Sequence, residues 1–287
     1  HAAAMLAAAG LTPEHAQVIA FDRSPKRLGV LKRRMSQLKV DAWIKPQQQD
    51  FLASDPADPA LQRVRCILLD PSCSGSGMVS RVDHAAADLG AALPEVAPEH
   101  SVFSQAAARQ RKGGRHGGQK RPRSGKAAAR GGHGAPSAAP VTATPDTVAA
   151  LAAFQLKALL HAMSFPAVRR ISYSTCSVFR QENEAVVLGA LAESNADGLS
   201  WRLVPALPWW HRRGDQPEAD ELPADAHAAA ALLGQGAKRQ RTEGGEAVAV
   251  DLAGDVGFVP EHCVCVNPFE GDTSGGFFLA ILERVHA

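Results

Sequence analysis

Two cysteines that follow short β-prone runs are the residues of this chain best suited to chemistry. Cys73 comes three residues after Asp70, at the end of the apolar run 67–69, and Cys176 follows the run 170–175. A thiolate is a strong nucleophile near neutral pH. If the two runs are neighbouring parallel strands, both thiols and Asp70 meet at the carboxyl edge of the sheet, where ligands bind. The pattern predicts nucleophilic chemistry on a bound substrate, whereas Cys73 taken alone is equally typical of a small buried side chain.

The surrounding pattern predicts an α/β chain. Run 67–69 is apolar throughout and ends at Pro71, which is typical of a strand buried on both faces of a parallel sheet. Further strands are expected at 18–22, 40–44, 199–203 and 275–284, with helices at 25–38, 147–163 and 181–193. A helix followed by a strand ending in Asp22 is typical of the second half of a βαβ unit.

Composition predicts one domain interrupted by two inserts. The chain has 287 residues, is 45% hydrophobic and carries a formal charge of +2. Residues 104–146 are basic and rich in Gly and Ala, and residues 212–254 are of low complexity, so both are predicted to be disordered inserts in a domain spanning 1–287. The basic insert could hold RNA phosphates, act as a nuclear localisation signal, or have no function.

A membrane-spanning segment and a metal site are not expected. No apolar run approaches the ~20 residues of a membrane span, and no targeting signal is visible at the start, so we expect a soluble intracellular protein without a membrane partner. The five cysteines have no disulfide spacing, and Cys263 and Cys265 are too close for the usual zinc pair. We expect no metal.

The two cysteine motifs resemble those of a known family. Segments 70–77 (Asp-Pro-Ser-Cys-Ser-Gly-Ser-Gly) and 173–177 (Tyr-Ser-Thr-Cys-Ser) are similar to the paired motifs of Sun-type RNA (cytosine-5) methyltransferases, in the spelling of the subfamily that modifies large-subunit rRNA. The likeness covers residues 1–103, 151–208 and 261–285. It implies a Rossmann-like, S-adenosylmethionine-dependent methyltransferase fold whose mixed sheet has an antiparallel last strand. Because the family's Pro-Gly-Asn-Lys-Thr loop precedes the position matching His1, the chain is expected to be truncated at its N-terminus, with the first strand missing.

The resemblance also implies roles for individual residues. Cys176 would be the nucleophile, Cys73 would assist product release, and Asp70 would contact the cytosine ring. Asp22, Arg27, Asp50 and Asp70 would bind S-adenosylmethionine. The sequence leaves alternatives open: Asp22 as a helix cap, Asp50 as a plain loop residue, and the two cysteines with their roles reversed.

The expected partner is RNA, in particular rRNA, and the expected location is the nucleus and nucleolus, with the protein a monomer. Glu182-Asn183-Glu184 is interpreted as capping the following helix, although the family carries a similar triplet that could orient the nucleophile. Two other functions stay open. One is a non-catalytic RNA-binding factor in ribosome assembly, and the other is a nucleotide-dependent oxidoreductase on the same sheet.

Overall fold

The computed structural model describes residues 2–78, 143–226, 256–268 and 275–285. Its helices are α1 (Ala2–Ala8), α2 (Pro25–Leu38), α3 (Pro145–Met163) and α4 (Glu184–Ala196). Its strands are β1 (Val18–Phe21), β2 (Ile44–Gln47), β3 (Cys66–Leu69), β4 (Arg170–Thr175), β5 (Trp201–Val204), β6 (Val264–Val266) and β7 (Phe277–Arg284). The predicted α/β class is confirmed. No helix within the described ranges is long and apolar enough to cross a membrane.

Local sequence explains where the helices begin and end. The Ser24 side chain accepts a hydrogen bond from the backbone of Arg27, and Pro25 stands at the first helical position of α2. Lys39 ends that helix in the left-handed conformation, with φ 55°. In the same way Thr144 caps α3 and Pro145 opens it. Residues 144–146, predicted to close the first insert, therefore belong to a helix start.

The strands form two sheets. In the larger sheet the order is β3-β4-β7-β5, and β6 also pairs with β7. β3 and β4 are parallel, whereas β7 runs antiparallel to β4, β5 and β6, so the predicted mixed sheet with an antiparallel last strand is confirmed. β1 and β2 form a separate parallel pair.

Each sheet has an open edge. Among the described residues, β1 pairs only with β2 and β3 only with β4. The Leu68 side chain of β3 is 74% exposed.

One continuous core lies between the larger sheet and helices α3 and α4. Leu156 and Leu159 of α3, Ile171 and Tyr173 of β4, and Leu188 of α4 are fully buried in it. Partly buried side chains of β1, including Ile19 and Phe21, pack against the same core. The helices therefore hold the carboxyl ends of β3 and β4 in a fixed position.

Three expectations about elements were wrong. The second strand is Ile44–Gln47 and not 40–44, because Lys39 turns the chain and Trp43 donates a backbone bond to Val40. β6 was missed, since three residues carry too weak a pattern. Residues 212–226, predicted to begin the second insert, pack on the core through Ala226, which is buried. The remainder of both inserts lies outside the described residues.

Candidate active site

The parallel pair β3 and β4 brings the two cysteine segments together. Leu69 at the end of β3 lies opposite Tyr173 of β4, so Asp70 and the residues after Thr175 leave the sheet at the same edge. The Cys73 and Cys176 sulfurs are 3.2 Å apart, and both side chains are partly buried. The expected convergence of the two thiols is confirmed. A gap of that size is smaller than a pyrimidine ring, so one ring bound beside the pair can touch both sulfurs.

Two glycines lock the loop that carries Cys73 onto the loop that carries Cys176. The Gly77 N–H donates to the Cys176 carbonyl at 2.9 Å, and the Gly276 N–H donates to the Gly77 carbonyl at 2.6 Å. A Cβ added at Gly77 would lie 2.5 Å from the Gly276 Cα and 2.9 Å from the Cys176 oxygen. Only glycine fits there, because the two backbones approach within contact distance.

The buried carboxylate of Glu182 is hydrogen-bonded to the same two loops. Glu182 is 0% exposed. Its Oε2 accepts from the Ser74 hydroxyl at 2.5 Å and the Ser177 hydroxyl at 2.6 Å. Its Oε1 accepts from the Ser74 N–H and from Gln155 Nε2, both at 2.9 Å. Four donors from three segments therefore meet on the Glu182 side chain. Two of them belong to Ser74, which follows Cys73, and one belongs to Ser177, which follows Cys176.

The capping interpretation of residues 182–184 holds for Glu184, which is an acid in the first turn of α4, but not for the Asn183 side chain. Asn183 is the N-cap of α4 but makes no side-chain cap bond. Instead its Oδ1 accepts from the Thr175 hydroxyl at 2.5 Å, and its Nδ2 donates to the Ser177 carbonyl at 3.0 Å. Those contacts hold Thr175 and Ser177, the residues on both sides of Cys176.

The two thiols are linked by one hydrogen bond, in which either sulfur can be the donor. The hydrogen bond with Cys176 lowers the pKa of Cys73 to about 7, against the opposing effect of burial. That same bond raises the pKa of Cys176, as do burial and the charges of Cys73 and Asp70. The first ionisation therefore belongs to the pair and falls near neutral pH, with the negative charge on Cys73 when no ligand is bound.

Asp70 lies at the same edge but faces solvent. Its Oδ1 accepts a long hydrogen bond of 3.5 Å from the Ser174 hydroxyl. Its negative charge is one of the smaller causes that raise the pKa of Cys176. An exposed carboxylate with free acceptor capacity can contact a ligand beside the sulfurs.

Asp22 and Arg27, two of the predicted cofactor residues, bind each other. Arg27 Nε lies 2.9 Å from Asp22 Oδ2, Arg27 Nη2 lies 3.0 Å from Oδ1, and the Ser24 N–H donates to Oδ1 at 2.8 Å. The guanidinium of Arg27 holds the pKa of Asp22 below its usual value. Ser24, not Asp22, caps α2, so the capping alternative for Asp22 was wrong.

Asp50 lies beyond the end of β2, on the neighbouring loop. Its Oδ1 accepts from the Leu52 N–H at 3.1 Å, and its Oδ2 is 3.9 Å from Arg23. Phe51 stacks on Phe165 with ring centroids 5.9 Å apart. Asp22 and Asp50 thus lie at the carboxyl edge of the smaller sheet, whereas Asp70 and both cysteines lie at that of the larger one.

Sequence reasoning missed the polar network behind the thiols. Ser74, Ser76 and Ser177 are linked by hydroxyl contacts of 3.1 to 3.2 Å. The sequence carried a signal of this network, because Cys73 and Cys176 are each followed directly by a serine. No group of three metal-ligating side chains occurs within the described ranges.

Comparison with known proteins gives a consistent picture. No family model matches. The mouse 28S rRNA (cytosine-C(5))-methyltransferase is 29% identical over 96% of this chain, and the Arabidopsis thaliana 25S rRNA (cytosine-C(5))-methyltransferase NSUN5 is 32% identical over 72%. The Schizosaccharomyces pombe 25S rRNA (cytosine-C(5))-methyltransferase rcm1 is 32% identical over 69% of this chain. The chain belongs to the Sun-type RNA (cytosine-5) methyltransferase family.

The Sun-type relatives are longer proteins. The chain spans 39% of the mouse relative, 28% of the Arabidopsis relative and 32% of the fission yeast relative. Among solved structures, a crystal structure of PH0851 has a TM-score of 0.47 over 93% of this chain and 37% of that one, at 16% identity, which is too distant a likeness to support an inference.

Proposed function

We propose that this chain forms the catalytic part of an S-adenosylmethionine-dependent enzyme that methylates C5 of cytosine in RNA. The observation that carries the proposal is the 3.2 Å contact between the Cys73 and Cys176 sulfurs at the carboxyl edge of two parallel strands. Relatives from mouse, a plant and a fungus are named as large-subunit rRNA (cytosine-C(5))-methyltransferases, which supports rRNA as the substrate.

Cytosine chemistry explains why thiols are needed. C5 of cytosine is a poor nucleophile, and addition of a thiolate at C6 turns the ring into an enamine whose C5 can react. Cys176 forms the C6–S bond, and its proton passes to the Cys73 thiolate 3.2 Å away. Asp70 hydrogen-bonds the ring near N3 and takes up or shares a proton as charge develops there.

Product release needs a base. After C5 has gained its substituent, the C5 proton must leave so that the ring can expel the Cys176 sulfur. Cys73, having passed to solvent the proton that it received, takes up the C5 proton. Because a paired base hides C6 in the stack, the target must be unpaired or flipped out.

The residues at the strand ends fit S-adenosylmethionine. When bound, that cofactor supplies an electrophilic methyl group. Its ribose hydroxyls and adenine amine are hydrogen-bond donors, and the carboxylates of Asp22, Asp50 and Asp70 all lie just beyond the carboxyl ends of strands, where they can accept them. Arg27 acts through Asp22, because it fixes the orientation of that carboxylate. We infer action in the nucleus and nucleolus, as expected for a protein that modifies rRNA, and we propose that the protein is a monomer.

Cysteine variants of the full-length protein test the proposal. Cys176→Ala should abolish transfer of a labelled methyl group to rRNA, whereas Cys73→Ala should accumulate a covalent protein–RNA adduct that is visible as a gel shift. Cys66→Ser, which changes an exposed thiol at the start of β3, is the matched control and should behave as wild type. Full activity of Cys176→Ala together with an inactive, adduct-free Cys73→Ala would reverse the roles of the two cysteines.

A second function is distinguished by a binding measurement. A non-catalytic RNA-binding assembly factor would bind RNA but give no heat with S-adenosylmethionine in titration calorimetry. Cells that carry any of the three cysteine variants would then grow as well as cells with the wild-type protein.

A further inference from the structure

The segment that follows β5 carries three consecutive rings to the edge of the sheet that holds the thiols. β4 and β5 both run antiparallel to β7, so they are parallel to each other. The chain therefore leaves β5 at the same end at which Cys176 leaves β4. Residues 207–213, here called the aromatic turn, contain Trp209, Trp210 and His211.

Strand pairing sets the distance between Arg213, the last residue of the aromatic turn, and the end of β4 that precedes Cys176. Arg213 bridges to Val264, Val264 pairs with Leu279, and Leu279 pairs with Ser174, two residues before Cys176. Three ladder steps of about 4.8 Å each separate Arg213 from Ser174 by roughly 14 Å. That separation corresponds to about four stacked nucleotides at 3.4 Å each, or fewer if the strand is extended.

The turn is held in place by contacts that leave its rings outside. Leu207 has φ 40°, a conformation that is unfavourable for a leucine. The Arg213 guanidinium donates to the Ala206 carbonyl at 2.8 Å and to the Leu207 carbonyl at 2.9 Å, and the Trp210 N–H donates to the Leu207 carbonyl at 2.8 Å. A strained, hydrogen-bonded turn thus presents the rings in a defined position.

The rings contribute little to the core. Trp209 is 77% exposed and Trp210 is 37% exposed, whereas Trp201 on the adjoining strand is buried. Trp210 and His211 are stacked, with centroids 5.7 Å apart and planes inclined by 23°. Clustered exposed aromatic side chains mark a binding surface, and with arginines at positions 212 and 213 they match the composition of surfaces that stack single-stranded RNA.

We propose that the aromatic turn is a stacking platform for unpaired bases that flank the target cytosine, with Trp209 as its principal contact. The inference rests on the proposed function only in that the substrate is RNA. Bases of any identity can stack on an indole, so the turn would hold the strand near the thiols without reading sequence.

Binding of single-stranded RNA to the full-length protein tests the platform. Trp209→Ala should weaken binding about 5- to 150-fold, the range expected when one base–aromatic stack is lost. Trp209→Phe should retain most of the affinity, because it keeps a ring. Phe154→Ala, which removes an aromatic ring that is 38% exposed on α3, is the control and should bind as wild type. Thermal melting should show all three variants folded.

Abasic RNA separates stacking from other effects. With an abasic nucleotide at the contacted position, within about four residues of the target, wild type and Trp209→Ala should bind equally. Under steady-state conditions the variant should raise KM and leave kcat unchanged. The platform would be overturned if Trp209→Ala bound RNA with wild-type affinity. It would also be overturned if the substitution lowered the affinity by the same factor whichever nucleotide was abasic. Failure of methyl transfer with the affinity pattern intact would refute the proposed function alone.

Discussion

Replacing the buried Glu182 by glutamine is the sharpest test of how the thiols are held together. The carboxylate accepts four hydrogen bonds, two on each oxygen. A glutamine keeps the shape but turns one oxygen into a donor, so two of the four bonds are lost or must reverse. Bonds to a charged group contribute about 1.5–3 kcal/mol each, and the serine hydroxyls can rotate to recover part of the loss.

We therefore expect the Glu182→Gln protein to lose about 2–4 kcal/mol of unfolding free energy, which is roughly 4–16 °C in Tm for a domain of this size. Denaturant unfolding and calorimetry measure the loss. Glu14→Gln, which changes a fully exposed carboxylate, is the control and should melt as wild type.

The pKa of Cys73 provides a readout that stability alone would not move. The negative charge of Glu182 raises this pKa, so losing the charge with the thiols still in place would lower it below about 7. Losing the contact with Cys176, the largest cause of the low pKa, would instead raise it. We expect the pKa to rise, and iodoacetamide alkylation of Cys73 as a function of pH measures it. A lowered pKa with unchanged kcat would refute the positioning role of Glu182.

Three further predictions concern single residues. Gly77→Ala should lower the free energy of unfolding by about 1–3 kcal/mol and remove most of the methyl transfer, because the added Cβ has no space. Gly29→Ala, in the open face of α2, is the control and should be neutral or stabilising. Parallel melting and activity assays compare the two variants. Cys176→Ala should shift the pH midpoint for alkylation of Cys73 upward from about 7, because its hydrogen-bond donor is gone, and a midpoint that stays in place would contradict the hydrogen bond between the two thiols. Burial raises the pKa of Glu184 to about 7, so its folded form binds a proton more tightly than its unfolded form, and stability should fall by an amount on the order of 3 kcal/mol as pH rises from about 4.5 through 7. Glu184→Gln should flatten that fall in denaturant melts, and an unchanged pH profile would show that folding does not raise the pKa of Glu184.

Much of the fold was predictable because its signals are local. Helix α2 could be placed from Ser24, Pro25 and the apolar spacing that follows, and the observed bounds match the prediction. β3 was predictable from three apolar residues before Asp70 and Pro71. By contrast, the predicted bounds of β2 were wrong, because the left-handed Lys39 begins a turn that the hydrophobic pattern does not show. The strand therefore starts only at Ile44.

The sequence by itself determined which residues are candidates for the chemistry, since the segments around Cys73 and Cys176 contain the two thiols, the nearby Asp70 and the glycine of their turn. Tertiary structure alone decided how they act together. Ser74 and Glu182 are 108 positions apart, and no local pattern states that they share a hydrogen bond or that Gly276 closes on Gly77. The reason is physical: short-range sequence sets backbone conformation, whereas the hydrogen bond between the two thiols and the exposed rings of the aromatic turn depend on which distant strands pair.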